Sequence, residues 1–460
     1  MREVINKYSI SEPSLLFRKH FVQQIPATFL KLCPGMRSAP ISSALFSRNR
    51  AKLGKLLPDG AVAVVCSNPL MPRNGDQFYP YRQHSDLFYL TGIQQEGSIL
   101  VMSSLRETLF IRKPDLKTTL WSGPLLTPER ASSLSGIGEV RWADELDPVL
   151  DEVVPRASSL NLNHSLAPGP ENGIQTPDAR MFDKLGRIYP ERNRSSLSPL
   201  MAQLRMVKEP EELEEIKKAC SITRSAFSRV LGKLKPGMYE YEVEAELSAE
   251  FTGSGASGHA FEPIVASGKN ALVLHYVENN GMCTEGDLLL MDFGAEVNNY
   301  AADCTRTVPV GGRFSDRQRE IYNAVYRIFL QARSMIVPGV LLGDFHNQVG
   351  KLWEEEHIAL GLYTRKEANS RPEEDPLWKR YFVHGTSHSL GLDVHDPFDR
   401  SVPFQPGMVL TCEPAIYIPA EGLGIRLEND ILIGEDGPVD LMEDIPMKAE
   451  EIEELLQQNI

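Results

Sequence analysis

Four acids stand where acids are rarely tolerated. Asp292 ends the apolar run Leu288-Leu289-Leu290-Met291, Asp303 lies in Ala301-Ala302-Asp303-Cys304-Thr305-Arg306-Thr307, and Glu413 follows Met408-Val-Leu-Thr-Cys412. Glu428 lies in Ile425-Arg426-Leu427-Glu428-Asn429-Asp430-Ile431. The flanking residues read as buried strands, and carboxylates are seldom buried without a partner. Ionised together, they repel one another at a cost on the order of several kcal/mol each unless cations neutralise them. A metal site is the economical reading. Any one of these acids alone is more often a loop residue or an ion-pair partner, here of Arg306 or Arg426; four together are harder to explain that way.

The histidines sharpen the pattern. His384, His388 and His395 fall in the short segment His384-Gly-Thr-Ser-His388-Ser-Leu-Gly-Leu-Asp-Val-His395, and His275 stands in Val-Leu-His275-Tyr ahead of the first acid. A set rich in carboxylate and poor in imidazole suits Mn²⁺, Co²⁺ or Zn²⁺ better than a thiolate-type structural zinc site. Cys304 and Cys412 each adjoin one of the acids, so on a strand they face the opposite side.

Positioning such residues requires a framework. Leu213, Ile216, Cys220, Thr223, Phe227 and Val230 recur at helical spacing after Glu209, and Gly232 ends the pattern. A second helix follows Ser315, which forms a capping box with Gln318; Ile321, Val325, Ile328, Ala332 and Met335 line one face. Each helix leads into a Pro-Gly turn, Pro236-Gly237 and Pro338-Gly339, and then a further helix over Val243 to Phe251 or Phe345 to Trp353. The two prolines are 102 positions apart, a hint of internal duplication, although helix–turn–helix text is common in itself. Strand-like runs at Leu288 to Phe293, Cys304 to Val310, Met408 to Cys412 and Ile425 to Ile433 complete an α+β domain over about 200–460 whose inner sheet face is acidic. Arg426 and Glu428 are expected on one face of a single strand. Ala61 to Cys66, Leu87 to Leu90, Ser98 to Met102 and Thr108 to Ile111 read as strands of a smaller α/β domain over 36–195, and the Pro-, Ser-, Asn- and Gly-rich text of 155–200 marks the junction.

The chain has 460 residues, of which 42% are hydrophobic and 24% charged, which excludes disordered, collagenous and coiled-coil classes. No run approaches the ~18 apolar residues of a membrane span. A net charge of −14 disfavours nucleic acid and anionic membranes as partners and is compatible with the ammonium end of a peptide. The six cysteines form no Cys-x-x-Cys pair, which points to a reducing compartment and a cytoplasmic location. Residues 1–35 hold Arg2, Lys7, Arg18, Lys19 and Lys31 against Glu3 and Glu12 and lack the apolar core of a secretory signal. They read as a dispensable extension, with organelle targeting as the alternative.

The order Asp292, Asp303, His388, Glu413, Glu428 resembles the five-ligand dinuclear site of the pita-bread metallopeptidases, a superfamily holding methionine aminopeptidase, prolidase and aminopeptidase P. The words MDFGAE, AADCTRT, HGTSHSLGLDVHD, TCEPAIY and IRLENDI carry that resemblance over about 200–445, and the duplication agrees with a fold of two pseudo-symmetric halves. Tyr79 to Gly92, YPYRQHSDLFYLTG, is similar to the amino-domain signature of aminopeptidase P, with Phe88 where that family often has a tryptophan implicated in reaching a neighbouring subunit's active site. The resemblance implies a pita-bread catalytic domain and two divalent cations, Mn²⁺ first and Co²⁺ or Zn²⁺ as alternatives. Asp292 holds one cation, His388 and Glu413 the other, and Asp303 and Glu428 bridge. It further implies a bridging hydroxide as nucleophile, with Glu413 shuttling its proton. His384 and His395 bind substrate or steady the oxyanion, His275 binds substrate and shapes the pocket, and Arg426 supports the ligands and binds substrate. The implied activity is release of the N-terminal residue from peptides with proline second, by a homo-oligomer, dimer or tetramer. A prolidase confined to dipeptides is the alternative, and a catalytically dead binding protein of the same fold is the reading from another class.

Overall fold

The structure, a computed structural model, describes residues 39–104, 106–163 and 175–458; the expected 1–35 extension lies outside them. Helix α1 (Ser43–Leu56) starts where the Ser42 hydroxyl accepts the Ala44 N–H. A six-stranded mixed sheet follows, built from β1 (Val62–Cys66), β2 (Ile99–Ser103), β3 (Glu107–Ile111), β4 (Glu139–Trp142), β5 (Leu160–Leu162) and β6 (Arg194–Ser196) in the order β4-β3-β2-β1-β5-β6. β1 is buried throughout because both faces are covered: Ala63 and Val65 join one apolar cluster, Val62, Val64 and Cys66 another.

Leu87 to Leu90, expected as a strand, belongs instead to helix α2 (Ser85–Thr91). The His84 side chain accepts the Asp86 N–H at its start, and Gly92, at φ +66°, closes it. Every residue of α2 is buried, so no polar face reveals the helical period. Phe88 is 3% exposed and meets the edge of Phe46 with ring centroids 5.8 Å apart. The position where the family often has a tryptophan therefore holds, as Phe88, a core residue of this chain.

Helices α3 (Pro210–Leu231), α4 (Glu240–Gly253), α5 (Asp316–Met335) and α6 (Leu342–Ala359) occupy the places the periodicity predicts. Ser315 and Gln318 cap α5 reciprocally. The α3–α4 and α5–α6 connections turn through Gly237 and Gly339 at φ +88° and +90°, so both helix pairs use the same left-handed turn, as a duplication requires. Between them run the antiparallel strands β7 (Ile264–Ser267), β8 (Leu288–Phe293) and β9 (Cys304–Pro309). The register sets Asp292 between Ile264 and Thr305. β10 (Val409–Cys412) pairs with β13 (Asn429–Ile433), which pairs with β14 (Pro438–Asp440); β11 (Ala415–Ile418) and β12 (Leu423–Arg426) form a hairpin.

The expected strand Ile425 to Ile433 is thus two strands. At Leu427 and Glu428 the backbone changes partners: Leu427 N–H donates to the Pro414 carbonyl at 3.3 Å and Glu428 N–H to the Thr305 carbonyl at 3.1 Å. Arg426 and Glu428 do not share a strand. One apolar core runs from Leu45 and Phe46 through Met206 and Ile216 to Val409 and Ile431. Among the described residues, no helix is long and apolar enough to cross a membrane.

Candidate metal centre

The expected ligands converge where strands begin and end. Asp292 is the penultimate residue of β8, Asp303 precedes β9, Glu413 follows β10 and Glu428 precedes β13. Gly294 makes the approach possible: a Cβ there would lie 1.7 Å from the Ala302 carbonyl oxygen, so only glycine lets the chain beyond Asp292 pack against the approach to Asp303. His388 is fixed from the main chain, its N–H donating to Thr411 Oγ1 at 3.1 Å and its carbonyl accepting the Thr411 N–H at 2.9 Å.

His388 Nδ1 lies 3.1 Å from the Ser389 carbonyl and donates to it. The Nε2 lone pair is thereby aimed at the acids, 3.4 Å from Asp303 Oδ2 and 3.7 Å from Glu413 Oε1. Asp303, His388 and Glu428 each offer a donor atom within 4.8 Å of the others. Asp292 Oδ1 and Asp303 Oδ1 are buried with no hydrogen-bond partner. Orphaned carboxylate oxygens beside a neutral imidazole lone pair are the donor set that hard to borderline divalent cations take, so the residues fit the metal.

Electrostatics agree. Burial first, then neighbouring carboxylates, hold Asp303 and Glu428 well above the ordinary carboxylate range, and burial pushes Glu413 up to about 8. Burial, then His395, lowers His388 to about 4, which keeps it neutral and able to ligate. Among the described residues, Arg426 is the arginine or lysine bonded to a carboxylate of this group: Nη2 meets Asp292 Oδ2 at 2.5 Å, Nε donates to Thr305 Oγ1 at 3.0 Å and Nη1 to the Tyr417 hydroxyl at 2.7 Å. The Thr305 hydroxyl in turn donates to Glu428 Oε2 at 2.6 Å.

Because Arg426 only donates, the Tyr417 proton points at His384 Nε2, 3.0 Å away. His384 Nδ1–H then donates to the Gly385 carbonyl at 2.7 Å, with Glu413 Oε2 at 3.4 Å from the same nitrogen. Both His384 nitrogens are engaged within the protein, and burial, then Arg426, lowers its pKa to about 3. His395 sets its ring perpendicular to His388 at 4.4 Å. His275, His384, His395 and Arg426 line a cavity of about 700 Å³ together with the proposed ligands, Phe261, Phe398 and Arg400. Thr305 and Tyr417 were not among the expected site residues; they lie inside the words AADCTRT and TCEPAIY, which already marked their neighbours.

The signature Tyr79 to Gly92 does not line this cavity. It clamps the two units together: Arg82 donates to Glu296 at 2.7 Å and to the Leu392 carbonyl at 2.6 Å, and Ser85 donates to Asp393 at 2.6 Å. Asp86 meets the buried Arg205 guanidinium at 2.7 Å.

Comparison with known proteins adds the family. Residues 214–435 match metallopeptidase family M24, and residues 46–162 match the N-terminal domain of aminopeptidase P. The Xaa-Pro aminopeptidase of Escherichia coli is 33% identical over 447 residues, covering 90% of this chain and 98% of that protein. The chain belongs to the aminopeptidase P family. It is a metal-dependent aminopeptidase, with a pita-bread catalytic unit and a smaller amino-terminal unit. Human Xaa-Pro aminopeptidase 3 is 29% identical over 99% of this chain and 92% of its own length. Intermediate cleaving peptidase 55, mitochondrial, of Arabidopsis thaliana is 30% identical over 88% of this chain and 81% of its own. The solved Escherichia coli aminopeptidase P in complex with substrate superposes with a TM-score of 0.83 at 31% identity, covering 92% of this chain and 99% of that one. A zinc-substituted Escherichia coli aminopeptidase P with product gives 0.83 at 32%, over 92% and 100%. The aminopeptidase P amino-terminal match favours an aminopeptidase over a prolidase.

Proposed function

We propose that this aminopeptidase removes the N-terminal residue from peptides with proline in second position, using two divalent cations, Mn²⁺ in preference to Co²⁺ or Zn²⁺. The observation that carries the reading is the pocket itself: five donors in the family order, two of them with orphaned buried oxygens. When bound, the cations acidify a water as nucleophile and polarise the scissile carbonyl. Asp292, Asp303, His388, Glu413 and Glu428 would hold them, with Asp303 and Glu428 assigned to serve both. Glu413 would take a proton from the attacking water and deliver it to the departing proline nitrogen. His384, with both nitrogens engaged, orients Glu413. His395 and His275 face the open cavity and contact substrate. Arg426 holds Asp292 and, through Thr305, Glu428.

An Xaa-Pro bond has no N–H on the proline side and a fixed ring, so a pocket walled by Phe261, Phe398, His275 and His395 suits it better than an extended-strand groove. We divide the chain at about 195–200, with the amino-terminal unit over 36–195. Self-association as a dimer or tetramer is supported by Leu120 and Trp121, which stand 72% and 83% exposed. Five buried free cysteines among the described residues support a reducing, cytoplasmic location. The decisive experiment is hydrolysis of an Xaa-Pro-Yaa panel after chelation and re-addition of Mn²⁺, Co²⁺ or Zn²⁺. Activity on Xaa-Pro dipeptides alone would instead support a prolidase, and none under any metal would reject the reading.

A further inference from the structure

The segment carrying His275 is held from behind by one carboxylate. Glu240 opens α4 and is fully buried. Oε1 accepts the Ser267 N–H at 2.6 Å and Asn270 Nδ2 at 2.8 Å; Oε2 accepts the Tyr276 hydroxyl at 2.8 Å and the Gly281 N–H at 2.6 Å. The Glu240 N–H returns a bond to the Gly281 carbonyl at 2.9 Å. All four side-chain partners are neutral donors from one stretch, 267–281, whose middle supplies Leu274, His275 and Val277 to the cavity wall. The fit is close: a Cβ on Gly281 would lie 2.7 Å from Asn270 Nδ2 and 2.9 Å from Glu240 Oε2. One turn further along α4, Glu244 accepts Asn279 Nδ2 at 2.9 Å, and Asn279 Oδ1 accepts the Val265 N–H at 3.0 Å. Asn279 takes φ +44° to do so, a conformation few side chains tolerate.

We propose that Glu240 is a positioning residue for the reaction: it sets the loop that presents His275 to substrate, without touching substrate or metal. This rests on the reading of His275 as a substrate contact. The geometry supports it because the carboxylate gathers donors from both sides of His275, namely Ser267 and Asn270 before it and Tyr276 and Gly281 after it. A buried charge satisfied by four donors has one well-defined arrangement, since any shift leaves it short of a partner. Glutamine in its place turns an NH₂ group toward N–H donors and releases one side of the clamp.

The test is a double-mutant cycle with Glu240→Gln and His275→Ala, read as kcat and KM on an Xaa-Pro-Yaa tripeptide with Mn²⁺, alongside bound metal by elemental analysis and thermal melting. Glu240→Gln is expected to lower kcat/KM about tenfold or more, the scale of a displaced substrate contact, with metal content unchanged. In the His275→Ala background the same substitution is expected to change kcat/KM less than about twofold, because the group it positions is gone. A full effect in that background, a parallel loss of metal, or no effect in either background overturns the proposal. If Glu240→Gln fails to fold, Tyr276→Phe removes one of the four donors and carries the same cycle. A silent His275→Ala beside a defective Glu240→Gln rejects the reading of His275 itself, and the proposal with it.

Discussion

Replacing Asp303 by asparagine keeps the shape of the side chain and removes one negative charge from the centre of the acid group. The carboxylate is 5% exposed, has one orphaned oxygen, and faces His388 Nε2 with the other. At an effective dielectric of about 20 and a separation of about 4 Å, one unit of charge is worth ~4 kcal/mol, or about 10³-fold in metal affinity. At a free metal concentration that saturates the native site, the same loss appears in stability, and for a chain of this size it corresponds to a melting-point drop of ~4 °C. The metal-free proteins should behave differently. Asp303 is held well above the ordinary carboxylate range by burial and then by Glu428. Its contribution to metal-free stability is therefore greatest below the unfolded value of ~3.9 and declines as pH rises from there toward the folded value. An asparagine at this position does not titrate and shows no such decline, so the metal-free variant should match or exceed the metal-free native protein at about pH 7. Elemental analysis and melting curves with and without chelator measure both arms. Two full equivalents of metal in Asp303→Asn, or a melting point that chelation lowers as much as in the native protein, would refute the bridging assignment.

Replacing the second residue of a tripeptide substrate, proline by alanine, should reduce kcat/KM at least about tenfold, since burying the ring is worth ~1–3 kcal/mol; equal rates would reject proline selectivity. Phe88→Ala should destabilise the fold by ~3–5 kcal/mol in urea titration while leaving the sedimentation coefficient of the remaining native protein unchanged; a change of assembly state with little loss of stability would contradict its place in the core. His357 is buried and its pKa is lowered to about 3 by that burial. The native state refuses a proton that the unfolded chain accepts, so the contribution is present above ~6.5 and is lost as pH falls toward 3, amounting to ~2–3 kcal/mol at about pH 4.5. His357→Leu should flatten that limb of the stability–pH curve, and an unchanged slope would rule out this histidine as its source.

The acids were legible because each interrupts an apolar run, and the helices because their caps and periods are intact in the text around Glu209 and Ser315. Two segments depart from their local pattern for tertiary reasons. Leu87 to Leu90 hides a helix because tertiary burial covers all its sides, leaving only the His84 cap and Gly92 as signals. Ile425 to Ile433 alternates like one strand, yet the backbone changes sheets at Leu427 and Glu428 because Pro414 and Thr305 supply carbonyls from two directions. That switch aims Glu428 at Thr305 and leaves Arg426 beside Asp292. Likewise the signature at Tyr79 to Gly92 marks the family without marking the pocket, since Arg82, Ser85 and Asp86 contact the other unit rather than the cavity. Glu240 was unreadable in sequence because its partners, Ser267 to Gly281, are distant in the chain.

Arg426 also fixes the charge sum of the ligand group. Four carboxylates and one permanently charged guanidinium leave three negative charges when every acid is ionised, and two divalent cations, as proposed, overshoot that by one. The loaded ligand group, leaving aside Glu262, Asp396 and Arg400 on the rest of the cavity wall, would then be one charge positive and matched by a single monovalent anion. A ligand group with that remainder favours an anion over a neutral water. It also disfavours a second carboxylate-bearing ligand once the first anion is seated, so the buried arginine sets how many anions the site tolerates as firmly as the acids set how many cations it holds.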